Sequence, residues 1–176
     1  MEKVKYACLF SGIGAPLQGI YRVFGKEVVE HIFSCEWDSH ARKSFKAIYG
    51  INDDTFYKDI HDFDARKYQG QVDVLAWGFP CTSYSVSGKR LGLDDPNTGD
   101  LFHEGLRILQ EVKPKWTFIE NVRGLLSIDK GETIRMILRD LANAGYRIDM
   151  DCVTTEDYGV PQSRERVYII GERIDQ

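Results

Sequence analysis

The sequence predicts an α/β fold: a mostly parallel β-sheet with helices on both faces. Two observations carry this prediction. Short apolar runs of strand length take turns with segments of helical periodicity along the whole chain, and the spacing between them is that of βαβ units. Length sets the scale. The chain has 176 residues, 43% hydrophobic and 12% aromatic, enough for one domain with a real core and too few for two comfortable ones, so residues 1–176 are read as a single domain.

The elements come in order. "KYACLF" (5–10) is a short buried strand, and "GAPLQGIYRVF" (14–24) carries a helical apolar pattern behind a proline. "VEHIFSC" (29–35) reads as the second strand, and "SHARKSFKAIYG" (39–50) as a helix closed by Gly50. A third strand is expected to end at Asp59. Next come a strand over 72–77, a long loop, a helix near 99–112 and the strand "KWTFIE" (115–120). A helix near 131–144 ends at Gly145, and strands over about 146–154 and 166–172 close the sheet. The chain carries no internal repeat, low-complexity tract or obvious linker.

Composition excludes several functional classes. A formal charge of −4 provides no global field for phosphate backbones, so nucleic-acid contact must be local or borrowed. Four cysteines, Cys8, Cys35, Cys81 and Cys152, stand far apart without a C-x-x-C pair. That pattern predicts reduced thiols and no metal site. No apolar run approaches the roughly 20 residues needed to span a bilayer, and the N-terminus lacks the apolar stretch of a signal peptide. A soluble, cytoplasmic protein is the expectation.

Ligands of open α/β sheets bind outside the carboxyl ends of the strands. After the first strand, "FSGIGAP" provides Gly12 and Gly14 for a tight turn that leads into a helix N-terminus. Leu17 stands at the third position of the dinucleotide fingerprint, so G-x-G-x-x-G is not satisfied, and an ordinary βα turn would look the same. The second strand ends in "CEWD". Glu36, about 22 residues beyond Gly14, can accept hydrogen bonds from a ribose diol, and Trp37 offers a flat face to an adenine. Singly they read as a solvated acid and a core aromatic; with the glycine turn they describe a nucleoside pocket. Asp59 and Ile60 could add an acceptor for the adenine amino group and an apolar floor, although the three aspartates of "DIHDFD" also suit a polar loop.

The fourth strand runs into "GFPCTSYSVSGKR" (78–90). Gly78 lets the backbone turn, and Pro80 fixes the direction of Cys81. A thiol becomes a nucleophile when it is partly exposed and its pKa is lowered, and its position at a strand end separates Cys81 from Cys8, Cys35 and Cys152, which read as small buried hydrophobes. Thr82, Ser83, Ser85, Ser87, Lys89 and Arg90 suit phosphate contacts. The fifth strand ends in Glu120 and Asn121, and adjacent strands lie about 4.8 Å apart, so a carboxyl there can reach the cavity of the thiol. In "QSRER", Gln162, Arg164 and Arg166 alternate and share one face if extended; a salt-bridged surface edge is the plainer alternative.

The ordered set "FSGIG", "EW", "DI", "GFPCTSYSVSGKR", "TGDLF", "ENV" and "QSRER" resembles the DNA (cytosine-5) methyltransferase family over nearly the whole chain. The resemblance implies a Rossmann-like sheet of seven strands, the last antiparallel, that binds S-adenosylmethionine. It implies Phe10, Gly12, Gly14, Glu36, Trp37, Asp59, Ile60, Gly78 and Leu101 around that cofactor, with Ser11, Ile13 and Pro80 among the same turns. Cys81 would add to cytosine C6, Glu120 would act at N3, and Arg164 and Arg166 would be the supporting cations. The base would be flipped out of double-stranded DNA for the reaction. No metal is implied.

This sequence departs from the family pattern at Trp77, where a small residue is usual, at Thr82, where glutamine is commoner, and at Ala15, where glycine is frequent. In the family, a target-recognition domain and a terminal segment that completes the cofactor pocket come after Gln-x-Arg-x-Arg; here the chain stops at Gln176. Three accounts are open: the catalytic half of a split enzyme with recognition on a second polypeptide, a truncated catalytic domain, or a non-catalytic cofactor- or partner-binding remnant. A tRNA-directed member of the family shares the same Pro-Cys chemistry.

Overall fold

A computed structural model describes residues 2–80 and 101–174. Seven strands form one sheet: β1 (Val4–Leu9), β2 (Val29–Cys35), β3 (Phe56–Tyr57), β4 (Val74–Trp77), β5 (Trp116–Val122), β6 (Tyr146–Thr154) and β7 (Glu165–Arg173). Among the described residues four α-helices accompany them: α1 (Ala15–Phe24), α2 (Ser39–Tyr49), α3 (Leu101–Val112) and α4 (Glu132–Asn143). The sheet order is β3-β2-β1-β4-β5-β7-β6. Pairs among β1 to β5 are parallel, and β7 lies antiparallel between β5 and β6, so the predicted mostly parallel sheet with an antiparallel last strand is observed. No helix among the described residues is long and apolar enough to cross a membrane.

Alternation along the strands sorts the core into two layers. Tyr6, Cys8 and Ala76 pack under α1 and α2 with Leu17 and Phe45. Ala7, Leu9, Leu75, Trp77 and Ile119 face the other way, toward Ile108 and Leu109 of α3 and Ile137 and Leu141 of α4. β1 and β4 are thus buried on both faces, which is why their sequences read as continuous apolar runs. β5 is different. Thr117, Ile119 and Asn121 are buried, whereas Trp116 is exposed and Phe118, Glu120 and Val122 are half-buried. With Tyr168 and the exposed Ile170 of β7, these side chains leave the face beyond α1 partly open.

Local chemistry fixes the helix ends. The Asp38 carboxylate caps α2 by accepting the Ala41 N–H at 2.7 Å, and Gly50 closes that helix with φ 68°. Trp77 donates its indole N–H to Thr117 Oγ1 at 2.9 Å, and its ring occupies the space that Gly105 of α3 leaves: a Cβ at 105 would stand 2.3 Å from Trp77 Cζ3. The bulky residue that departs from the family pattern is therefore matched by a glycine on the opposing helix.

Two element boundaries shift from the prediction. The third strand is only Phe56–Tyr57, so Asp59 and Ile60 lie past it in the turn beyond. The fifth strand continues to Val122, because its antiparallel partner β7 pairs with it as far as Val122↔Arg166, so Glu120 and Asn121 are strand residues. Residues 99 and 100, the first of the predicted third helix, lie outside the described residues.

Candidate active site

The strand order reverses between β1 and β4, and a crevice at their carboxyl ends is where such a sheet takes its ligands. The turn that leaves β1 is held in an uncommon backbone. Phe10, Gly12 and Gly14 all have positive φ, at 53°, 52° and 93°, and for Phe10 this costs roughly 1–2 kcal/mol. The next strand holds the turn in place. Ser11 N–H donates to the Cys35 carbonyl at 3.2 Å, and Gly12 N–H to Glu36 Oε2 at 2.8 Å. Two residues predicted separately, Gly12 and Glu36, are thus in contact. Gly14 has another function: a Cβ there would meet Tyr49 Cε2 at 2.3 Å, and its carbonyl accepts the Tyr49 hydroxyl at 2.8 Å. It seats the turn on α2 and lines neither of the two cavities beside it.

A cavity of about 490 Å³ gathers Phe10, Glu36, Trp37, Asp59, Ile60, Gly78, Pro80 and Leu101, all sequence-predicted, from five strand ends and helix starts. Cys35, Lys58 and His61 also line it and were not predicted. Glu36 Oε1 accepts the Asp38 N–H at 2.8 Å; a carboxylate has about four lone-pair positions, so acceptor capacity remains. The Trp37 indole is 64% exposed, with Lys58 Nζ 4.8 Å from its ring centre. Asp59 Oδ1 accepts from the backbone N–H of His61 at 3.0 Å and sits 2.9 Å from His61 Nδ1, and these bonds hold its carboxyl below the usual range. Ile60 forms an apolar wall.

A second cavity, of about 690 Å³, shares Phe10 and Gly78 with the first. Ser11, Gly12 and Ile13 line it opposite Glu120 and Arg164, with Ile20 and Val23 of α1 along one side. The Ser11 hydroxyl is buried and has no hydrogen-bond partner among the described residues.

Glu120 joins this cavity to the two arginines. In the β5–β7 ladder Glu120 faces Tyr168 and Val122 faces Arg166, which makes Arg166 the diagonal neighbour of Glu120 on one face. Arg166 Nε lies 2.9 Å from Glu120 Oε1, and Arg164 Nη2 lies 3.7 Å from the same oxygen. On the other side Gly78 lets the β4 exit pass close to β5, since a Cβ at 78 would stand 2.8 Å from the Glu120 carbonyl oxygen. Gln162, the third residue of the predicted alternation, is exposed, its backbone carbonyl accepts the Thr155 hydroxyl, and it lines neither cavity.

The neighbour of Glu120 turns the opposite way, as strand geometry requires. Asn121 is 4% exposed and donates to the Phe79 carbonyl at 3.2 Å, which ties the exit of β4 to β5 two residues ahead of Cys81. A polar residue amid "TFIENV" is the signal for such a tether. Cys81 and the hydroxyl-rich stretch after it lie outside the described residues. Burial pushes the Cys8 and Cys35 thiols up to about 12, so both stay protonated and inert near neutrality. Cys152, read as buried, is exposed because β6 forms the edge of the sheet.

A family model described as C-5 cytosine-specific DNA methylase matches residues 4–176. The orphan methyltransferase M.SPRI of Bacillus phage SPR is 40% identical over 176 residues, which are 99% of this chain and 39% of the relative. The type II methyltransferase M.HpaII of Haemophilus parainfluenzae is 39% identical over 173 residues, 97% of this chain and 46% of its own. The chain spans about a third to a half of the length of the curated relatives it matches. Among solved structures, the Entamoeba histolytica methyltransferase EhMeth superposes with a TM-score of 0.78 at 22% identity, covering 99% of this chain and 54% of that one. The Dnmt2 methyltransferase of S. pombe gives 0.74 at 20%, covering 99% and 52%.

Proposed function

The chain belongs to the C-5 cytosine-specific DNA methylase family, and on that premise we propose that it is the catalytic portion of an enzyme that methylates C5 of cytosine in double-stranded DNA. The family uses S-adenosylmethionine as its methyl donor. One observation carries the proposal: the cavity with Glu36, Trp37 and Asp59 adjoins the cavity with Glu120 and Arg164 through Phe10 and Gly78. A nucleoside-binding end and an acid-and-cation end therefore share one crevice at the switch point of the sheet.

The residues present fit an adenosyl group. Glu36 keeps acceptor positions for a ribose diol, the exposed Trp37 indole offers a stacking face, Asp59 is an acceptor for the amino group, and Ile60 is the apolar wall. When bound, S-adenosylmethionine supplies an electrophilic methyl carbon on a sulfonium.

The other chemistry falls to the chain's own side chains. The Cys81 thiolate adds to C6 of the cytosine, the C5–C6 π pair shifts into the C4–C5 bond, and the C4–N3 π pair moves onto N3 as it takes a proton from Glu120; C5 is then the nucleophilic carbon. Once C5 carries the methyl group, its proton passes to a base. The C5–C6 double bond re-forms, Cys81 leaves as thiolate, and the N3 proton returns to Glu120. Arg166 and Arg164, both at Oε1, hold the Glu120 carboxyl in one orientation throughout. Asn121 fixes the β4 exit from which Pro80 and Cys81 extend.

The partly open face beside α1 supports a further part of the reading. Ile13 in the turn and Val23 of α1 are exposed and line the larger cavity together with Phe118 and Tyr168 of the sheet, an apolar surface of the kind that marks a contact site. Polypeptide beyond these 176 residues, continuous with them or on a second chain, would cover this face and read the DNA sequence. The test is covalent trapping on duplex DNA that contains 5-fluorocytosine, with S-adenosylmethionine and any separate recognition subunit present. The wild-type chain is expected to form an adduct that survives denaturing electrophoresis, and Cys81→Ala to form none. An adduct that persists in Cys81→Ala, or none with wild type, overturns the mechanism.

A further inference from the structure

The wall that carries Asp59 and Ile60 is not held by β3, which ends at Tyr57. Beyond that strand a side chain on α3 braces it. Arg107 Nη2 donates to the Ile60 carbonyl at 2.8 Å and Nη1 to the Phe63 carbonyl at 3.1 Å. The same guanidinium is fixed on its own helix by Glu104 Oε2, at 2.9 Å from Nε and 2.6 Å from Nη2, and by Glu111 Oε1, at 2.9 Å from Nη1. Glu111 completes the link, its Oε2 accepting the Ala65 N–H at 3.0 Å.

A planar fork suits this arrangement, because only a guanidinium offers enough rigidly directed donors to meet two carboxylates and two carbonyls at once. A lysine there could pair with the carboxylates but could not reach both carbonyls in the same geometry. The group is half-buried, so these bonds are less screened than a surface pair. α3 also begins at Leu101, which lines the same cavity as Asp59 and Ile60. Arg107 therefore sets the distance between two walls of one pocket without lining it.

We propose that Arg107 is a positioning residue that sets how well the pocket recognises the 6-amino group of the adenine, by fixing the segment that presents Asp59. The inference rests on the cofactor reading above. Adding bulk or charge at the pocket is not required; the fork decides where the Asp59 carboxyl stands relative to Leu101.

Calorimetric titration of the protein, with any separate recognition subunit included, against S-adenosylhomocysteine and against its deaminated inosyl counterpart tests this. Wild type is expected to bind the amino compound about tenfold more tightly, roughly the worth of one charge-assisted hydrogen bond. Arg107→Lys keeps the charge and the carboxylate pairs, so it is expected to fold, to lose most of that tenfold preference and to change its affinity for the inosyl compound less than twofold. Glu111→Gln, which keeps an acceptor for the Ala65 N–H, is the milder second variant and is expected to lose part of the preference. An unchanged preference in Arg107→Lys, or an equal loss for both ligands, overturns the positioning role while leaving the cofactor reading intact. Wild type that binds neither compound overturns the cofactor reading, and this inference with it.

Discussion

The guanidinium of Arg166 stands 2.9 Å from Oε1 of Glu120, on the diagonal of the antiparallel β5–β7 pair. The contact depends on β7 running between β5 and β6, for only there do residues 164 and 166 reach the face on which Glu120 meets Gly78. Replacing Glu120 by glutamine keeps the volume and one acceptor oxygen for Arg166, but removes the group able to move a proton. Methyl transfer to duplex DNA, followed with radiolabelled donor, is expected to fall about 10²- to 10⁴-fold, while cofactor affinity changes less than twofold. Transfer within tenfold of wild type would mean that Glu120 serves the fold rather than the reaction.

Glu36 bridges the turn after β1 and the start of α2, accepting from Gly12 through one oxygen and from Asp38 through the other. It is therefore structural as well as a proposed ribose acceptor, and two substitutions separate the roles. Glu36→Ala leaves both N–H groups without this acceptor and is expected to lower unfolding stability by about 1–3 kcal/mol in urea titration. Glu36→Gln keeps one acceptor and is expected to stay within about 1 kcal/mol of wild type while weakening nucleoside binding roughly tenfold. Equal affinity in Glu36→Gln would remove the ribose assignment.

Much of this site was legible in the sequence because strand ends announce themselves. The apolar runs of β1, β2 and β4 fill the middle of the sheet, so the residues just past them, Phe10 to Gly12, Glu36 with Trp37, and Gly78, had to fall at its carboxyl edge. The illegible part depends on contacts between distant residues. Tyr49 holds the Gly14 carbonyl across 35 positions, Asn121 holds Phe79 across 42, and Arg107 holds Ile60 across 47. None of these belongs to a local pattern, since tyrosine, asparagine and arginine at those positions also fit a surface. The sequence placed the Glu120 carboxyl near the crevice but said nothing of where Asn121 goes; strand alternation sends it into the core.

Trp77 and Gly105 form a complementary pair across the α3 side of the sheet. Trp77→Ala removes a fully buried ring and its bond to Thr117, and is expected to cost about 3–5 kcal/mol. Gly105→Ala puts a methyl group into the indole and is expected to cost about 1–3 kcal/mol. If the two positions share one volume, Trp77→Phe with Gly105→Ala is less destabilising than the sum of its single changes, by at least about 0.5 kcal/mol. Strict additivity in urea unfolding would show that α3 adjusts independently of the ring.

His31 gives the fold a pH dependence apart from the reaction. Its ring, on β2, packs 5.9 Å from Phe45 and meets Ser34 Oγ at 2.8 Å, and burial pushes its pKa down to about 4. An unfolded chain protonates histidine near 6.5, so between those values the unfolded state binds the extra proton and stability falls as the pH falls. The contribution is complete above about pH 6.5 and lost progressively toward pH 4, with a slope approaching about 1.4 kcal/mol per pH unit in the middle of that window. His31→Gln keeps a partner for Ser34 but cannot titrate. Urea unfolding at several pH values between 4.5 and 7.5 is expected to show a steep decline for wild type and a shallower one for this variant. Parallel curves for the two proteins would mean that His31 accepts its proton without disturbing the packing between β2 and α2.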